Sequence, residues 1–380
     1  SDVLEPAPQP KPISESCENC GEDVVHSESE TCPVDAVTAA LSVINVKTED
    51  DLAALSSEEL QTLMGQVQTA LAACEAAKVG ASEQALAAIS ILIEPYEAMP
   101  DAITTLLATP KLEGKGTEGA PYQVGTAEDF KELARAVAAG GTGFHLELTT
   151  DITLDDSWTP IGTHEKPFTG TLSAVKTASV MLLSGESTAD TYVVSGLTSP
   201  LFGSTNDAEF IGITVEGTVT GEADVGALVA EAVNTTFTNC VNKASVSDGT
   251  NVGGLAGKVS GTTVFDGCVN GGAVTATGGN ANAGGLVGLA GGAVTLKGAI
   301  SLTATAGGVA GMATEGLINE TTALTIGDVT GGNVGGLAGK VQGTGSQPLT
   351  VNHFSLTELG TLSGTTVGGI VGTVENQVTL

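Results

Sequence analysis

The order of apolar and polar positions divides the chain into a helix-periodic part and a strand-periodic part. From Cys32 to about Pro110 the period is helical. Leu60, Leu63, Met64, Val67, Leu71 and Cys74 recur at helical intervals after a cap-like start at Ser57-Glu58-Glu59. Gly80 ends this helix, and another begins near Ser82, with Leu86, Ile89, Leu92 and Ile93 on one side until Pro95 and Pro100 interrupt it. Residues 32–110 therefore read as a small helical hairpin or bundle stapled by Cys74. Residues 1–31, with Pro6, Pro8, Pro10 and Pro12 before a polar, acidic run, read as an extended arm. Residues 111–125 hold Gly114, Gly116, Gly119 and Pro121 and read as a linker. Thr126 then offers an N-cap, Glu128 and Asp129 an acidic first turn, and Phe130, Leu133 and Val137 an apolar face running to Gly140.

After this helix the apolar runs shorten and begin to repeat. Val225-Gly226-Ala227-Leu228-Val229-Ala230 returns as Val252-Gly253-Gly254-Leu255-Ala256-Gly257 and as Ala283-Gly284-Gly285-Leu286-Val287-Gly288. Further copies begin at Ala306-Gly307-Gly308, Val334-Gly335-Gly336 and Val367-Gly368-Gly369. Successive first glycines lie 27, 31, 23, 28 and 33 residues apart. Such periods signify repeat architectures, and a propeller blade needs ~40–45 residues, more than these units supply. Between copies lie short strand segments such as Thr235–Thr238 and Ala273–Ala276, with no helix-length amphipathic stretch. One coil of a parallel β-helix fits.

The fold class expected for residues 126–380 is therefore mainly β, a parallel β-helix (β-solenoid) with a capping helix, preceded by the helical domain and the arm. In that geometry each strand lies ~4.8 Å from its copy in the next coil, so equivalent residues form ladders. Cys240-Val241-Asn242 and Cys268-Val269-Asn270 stand one repeat apart. Cys240 and Cys268 are expected to be neighbours, as packed thiols or as a bond, and Asn242 and Asn270 to form an amide ladder. The repeat glycines belong where the chain bends and coils approach closely.

The Val-Gly-Gly-Leu-Ala-Gly unit resembles the GLUG repeats of secreted and surface-attached microbial proteins. The lead-in is similar too: Tyr122-Gln123-Val124, Thr126 to Phe130, Phe144-His145-Leu146, Asp151 to Leu154, Trp158 to Gly162, Phe168-Thr169-Gly170 and Leu201-Phe202-Gly203. The resemblance spans Tyr122 to Leu380, about two thirds of the chain. It implies an exported, right-handed parallel β-helix acting as a stalk, adhesin or surface-layer element, and an extracellular or cell-surface location. Some proteins of this type carry a zinc peptidase domain, but this chain has no His-Glu-x-x-His, and that activity is not transferred.

Composition narrows the partners. Of 380 residues, 44 are acidic and 13 basic, a formal net charge of −31, which suits neither nucleic acid nor an anionic membrane surface. Mean hydropathy is +0.22, which excludes general disorder. Fifty-two glycines with only 3% aromatics favour many short strands. The longest apolar run, Ala85 to Ile93, is about half the ~20 residues a membrane-spanning helix needs. Ser1 lacks a preceding methionine and a signal-type start, so the sequence reads as a processed or trimmed form.

Candidate chemistry is sparse. Cys17 and Cys20 have the spacing of a zinc half-site, but no second such pair follows and His26 stands alone. Two structural disulfides among Cys17, Cys20, Cys32 and Cys74 are expected, with zinc or free thiols as alternatives. Asp151, Asp155 and Asp156 form the best carboxylate cluster, open to three readings: solvated turn acids, a calcium site, or a catalytic pair. The only arginine, Arg135, falls on the capping helix, away from any solenoid face where a lyase would need it. No phosphate loop and no serine, histidine and aspartate set can be nominated, so neither catalysis nor an organic cofactor is expected. Asn234-Thr235-Thr236 and Asn319-Glu320-Thr321 fit glycosylation acceptors.

The expected role is an extracellular structural protein. Residues 366–380 carry no capping helix, and an open sheet edge templates association, so other copies of the chain are the expected partners, stacked head-to-tail with the arm or helical domain as cover. A solenoid continuing beyond Leu380 is the alternative. A surface polysaccharide-binding or polysaccharide-cleaving protein is the alternative function, with a surface glycan or protein as partner.

Overall fold

The computed structural model describes residues 32–45, 48–176, 190–276, 281–302, 308–314, 316–342, 349–352, 358–375 and 378–379. They fall into two compact units divided between Thr109 and Pro110. The arm, Cys17, Cys20 and Gly307 lie outside the described residues.

The first unit contains five helices: α1 (Pro33–Leu41), α2 (Glu49–Ala54), α3 (Ser57–Lys78), α4 (Glu83–Glu97) and α5 (Met99–Ala108). Leu60, Leu63, Val67, Ala70 and Cys74 form the buried stripe of α3, against which α1, α4 and α5 pack. The cap of α3 is Ser56, one residue before the expected position. Its hydroxyl accepts from the Glu59 N–H, while the Glu59 carboxylate accepts from the Ser56 N–H (3.2 and 2.7 Å). This reciprocal pair satisfies two of the orphan donors at the helix start. Ser82 caps α4 as expected, but Pro95 does not end it. The carbonyl that Pro95 leaves unserved belongs to Ile91, which is 71% exposed and lies on the solvent side of the helix. Cys74 is a buried thiol, so no disulfide staples this helix.

The second unit is a parallel β-solenoid of about seven coils. Its capping helix, α6 (Ala127–Ala138), is closed by Thr126 and Asp129, each side chain bonded to the other's N–H (3.1 and 2.9 Å). Phe130, Leu133, Ala136 and Val137 of α6 are buried in the continuous solenoid core, where Phe130 meets Trp158 edge-on at 6.0 Å. Residues 111–125 are not a free linker. Tyr122–Val124 is the first strand, paired in parallel with Phe144–Leu148, and the Lys111 N–H donates to Glu132 of α6 (2.7 Å).

The repeats stack in register. Gly226, Gly253 and Gly284 are paired partners in successive coils, as are Gly335 and Gly368. In the strand that follows each glycine motif, one ladder runs through Phe202, Val229, Ala256, Val287, Ala310, Ala338 and Val371. A second ladder joins Leu146, Leu172, Phe210, Phe237, Phe265 and Leu296. Phe237 and Phe265 stack with ring centroids 4.8 Å apart and planes 6° from parallel, close to the strand spacing itself. Burying each ring is worth about 1.5–3 kcal/mol, and each aromatic pair adds about 0.5–1.5.

The two motif glycines do different things. A Cβ on Gly226, Gly253, Gly284, Gly335 or Gly368 would collide with the carbonyl oxygen three residues ahead in the same coil. A Cβ on Gly254, Gly285, Gly308 or Gly336 would instead strike the carbonyl oxygen of its counterpart in the next coil. Crowding therefore accounts for these glycines; none of them has a positive φ. Gly369 breaks the pattern, with nothing within 4 Å of an added Cβ.

Candidate functional site

Asp151, Asp155 and Asp156 do not build one site. Asp151 turns toward the next coil, where its carboxylate accepts from the Val193 N–H (2.9 Å). Asp155 caps the following turn, accepting from the Ser157 N–H and hydroxyl, and lies 3.4 Å from the Lys131 ammonium of α6. The Ser157 hydroxyl, its N–H and Lys131 hold the Asp155 carboxyl below its ordinary range. Asp156 is exposed. Among the described residues, no three His, Cys, Asp or Glu converge as a metal centre would require. Closeness in sequence placed these acids together, and the turn at Asp155 sends them apart.

Asp151 instead joins Lys176, Asp190, Thr191, Val193, Thr214 and Lys243 around a polar hollow of about 480 Å³ on the solenoid. The charges here are mutually engaged. Lys176 pairs with Asp190 (3.1 Å) and lies 5.1 Å from the Tyr192 ring centre, and Lys243 pairs with Glu216 (3.1 Å). Trp158 and the phenylalanines from Phe130 to Phe265 are buried, which leaves Tyr192, half-buried near Lys176, as the aromatic beside this hollow.

The lysines of the repeats bridge coils. Lys243 reaches Glu216 and Lys258 reaches Glu231 in the preceding coil, while Lys297 and Lys340 reach Glu320 and Glu375 in the following one. Glu231 is the most connected: Lys258 lies at 2.8 Å and His164 Nδ1 at 3.1 Å. The Lys258 hydrogen bond, partly offset by burial, pulls the Glu231 carboxyl below its ordinary range, and Glu231 raises Lys258 in return. These pairs relieve self-repulsion locally in a chain of net charge −31.

Asparagines supply further ladders. Asn242 Nδ2 donates to Asn270 Oδ1 (2.7 Å), and both residues are buried, as their one-repeat spacing implied. Outside the core, Asn282 donates to Asn251 (2.7 Å) and Asn251 to Asp224 (2.6 Å), a chain whose only trace in the sequence is that the three precede equivalent glycine motifs. The glycosylation candidate Asn234 is exposed at positive φ, and its Oδ1 accepts from the Thr262 N–H of the next coil (3.0 Å). Asn319 falls within the strand Leu317–Ile326, at the register position of Leu296. Cys240 and Cys268 are adjacent, buried thiols.

The last coil differs from those before it. Val367, Ile370 and Val374 are 48%, 46% and 46% exposed, whereas Leu337 and Val341, which precede Ile370 and Val374 by one coil, are 1% and 0% exposed. No helix among the described residues is long and apolar enough to cross a membrane. A scan against protein-family models matches none, and a search of curated proteins finds no similar sequence.

Proposed function

We propose that this chain is an extracellular structural protein whose β-solenoid stacks with other copies of itself into a surface filament or array that supports adhesion. The observation that supports this reading is the in-register stacking of the coils, in which equivalent glycines pair from Gly226 to Gly253 to Gly284 and Phe237 stacks on Phe265, so that one coil presents to the next a self-complementary surface. The repeat interfaces bury apolar side chains, and at Gly254, Gly285, Gly308 and Gly336 they bring a bare glycine against the next coil's carbonyl. A coil surface of this kind accepts an incoming strand by backbone pairing while the apolar positions set register. Because α6 closes the other end of the solenoid, the covering element comes from another part of the second copy, the arm or the helical unit. Head-to-tail contacts without a closing rotation then give a filament. The resemblance to GLUG repeats supports the surface location.

Gly369→Val tests this directly. An added Cβ there has nothing within 4 Å among the described residues. It blocks close approach of another coil, as the counterpart glycines show. Light scattering and electron microscopy of the full chain are expected to show concentration-dependent assembly that the variant abolishes without loss of folding. A wild-type chain that stays monomeric at high concentration refutes the proposal.

A surface polysaccharide-binding or polysaccharide-cleaving protein is the second reading, favoured by the polar hollow around Asp151, Lys176, Asp190 and Lys243. Glycan-array binding that Lys176→Ala and Lys243→Ala remove would support it.

A further inference from the structure

We propose that Cys240 and Cys268 are the two halves of an inter-coil cross-link, closed by exchange with a small-molecule disulfide while these coils are open and then sealed in the core. The inference stands apart from the assembly reading.

Val241 and Asn242 pair with Val269 and Asn270, which sets the two cysteines, one position earlier, opposite each other in adjacent coils. The Val269 N–H donates to the Cys240 carbonyl (2.9 Å). Neighbouring strands are ~4.8 Å apart, within the ~4.4–6.8 Å between Cα atoms that a disulfide spans. The side chains repeat one pose: Cys240 Sγ donates to the Phe210 carbonyl (3.4 Å) and Cys268 Sγ to the Phe237 carbonyl (3.3 Å), each one coil back. Side-chain rotation with a small approach of the two strands, toward the ~3.5–4.5 Å between Cβ atoms that a disulfide needs, joins sulfur to sulfur.

Burial decides when this happens. The thiolate is the attacking species, and both thiols are 0% exposed, with Cys268 pushed well up by burial and by Cys240. No dissolved disulfide reaches them in the closed solenoid. In the open chain, one cysteine thiolate attacks glutathione disulfide, forming a mixed disulfide and releasing one glutathione thiolate. The second cysteine thiolate then attacks the protein sulfur of that mixed disulfide, forming the Cys240–Cys268 bond and releasing the second glutathione. The two cysteine protons end on the two glutathiones; the cysteines are oxidised and the glutathione disulfide is reduced.

The full chain, unfolded with reductant and denaturant, is refolded either with mixed oxidised and reduced glutathione or with reduced glutathione alone. Remaining thiols are alkylated in denaturant and the peptides mapped by mass spectrometry. After oxidising refolding, the Cys240 and Cys268 peptides are expected as one linked species. That link survives reductant added to the folded protein and is lost when reductant and denaturant act together. The linked sample is expected to melt at a higher temperature than the reduced one, and Cys268→Ala removes the linked species. Recovery of both cysteines in alkylated form after oxidising refolding, or linkage of either to another cysteine, overturns the proposal. Both outcomes are read on the wild-type chain and do not depend on the variant folding.

Discussion

Gly285→Ala tests whether the second motif glycine is required where it meets the next coil's carbonyl, as at Gly254, Gly285, Gly308 and Gly336. An added Cβ would lie 2.5 Å from the Gly308 oxygen and 3.2 Å from Leu302 Cβ, where ordinary contact starts at 3.4 Å. The Gly285 N–H also donates to that Gly308 oxygen (2.9 Å), so moving the strand away strains the bond that joins the coils. Overpacking costs about 1–3 kcal/mol and a weakened backbone hydrogen bond about 0.5–1.5, against about 0.4–1 regained from the stiffer unfolded chain. The net expectation is a loss of about 1–3 kcal/mol. Gly369→Ala is the internal control, since its Cβ meets nothing within 4 Å and only the unfolded-chain term remains, a change of at most about +1 kcal/mol. Urea unfolding followed by Trp158 fluorescence isolates the solenoid, because Trp158 is the sole tryptophan and is buried against α6. A solenoid is coupled mainly between nearest neighbours, so amide hydrogen exchange in the strands Asn282–Gly284 and Val287–Ala290 provides a second, local readout. Equal stability of the two variants, or a larger loss for Gly369→Ala, would show that inter-coil crowding is not what these glycines relieve.

Three further outcomes follow from the same contacts. The depressed Glu231 carboxyl contributes stability that is present above its unfolded value of ~4.3 and lost as pH falls through the lower folded value. The raised Lys258 contributes stability that is present below ~10.4 and lost as pH rises through its higher folded value, so Glu231→Gln should flatten both limbs of a stability-against-pH curve. Thr263 is fully buried and its hydroxyl has no partner among the described residues, so Thr263→Val is expected to raise stability by about 1 kcal/mol in urea unfolding; a loss would mean that the hydroxyl is satisfied. Asn270→Ala removes the acceptor for Asn242 Nδ2 and the donor to the Gly272 carbonyl, for an expected loss of about 1–3 kcal/mol, whereas a half-buried ladder member such as Asn282→Ala should cost less than about 1.

The sequence alone determined the coil. A Val-Gly-Gly-Leu-Ala-Gly unit returning at one-coil spacing pairs with itself, so the Gly226, Gly253, Gly284 stack and the Asn242–Asn270 ladder follow from counting residues. Both helix caps near Ser82 and Thr126 were legible for a similar reason, because capping depends on residues three apart. Tertiary structure decided what has no local signature. Tyr122–Val124 becomes a strand because Phe144–Leu148 lies beside it, although its own glycine- and proline-rich surroundings read as a linker. Phe210 enters the phenylalanine stack from outside the glycine repeats, and Asp151 leaves Asp155 for the Val193 N–H of another coil. Hydrophobic period and motif spacing record which face of a strand is buried and when a coil recurs. They carry no record of which distant backbone a side chain will meet once the coils have stacked.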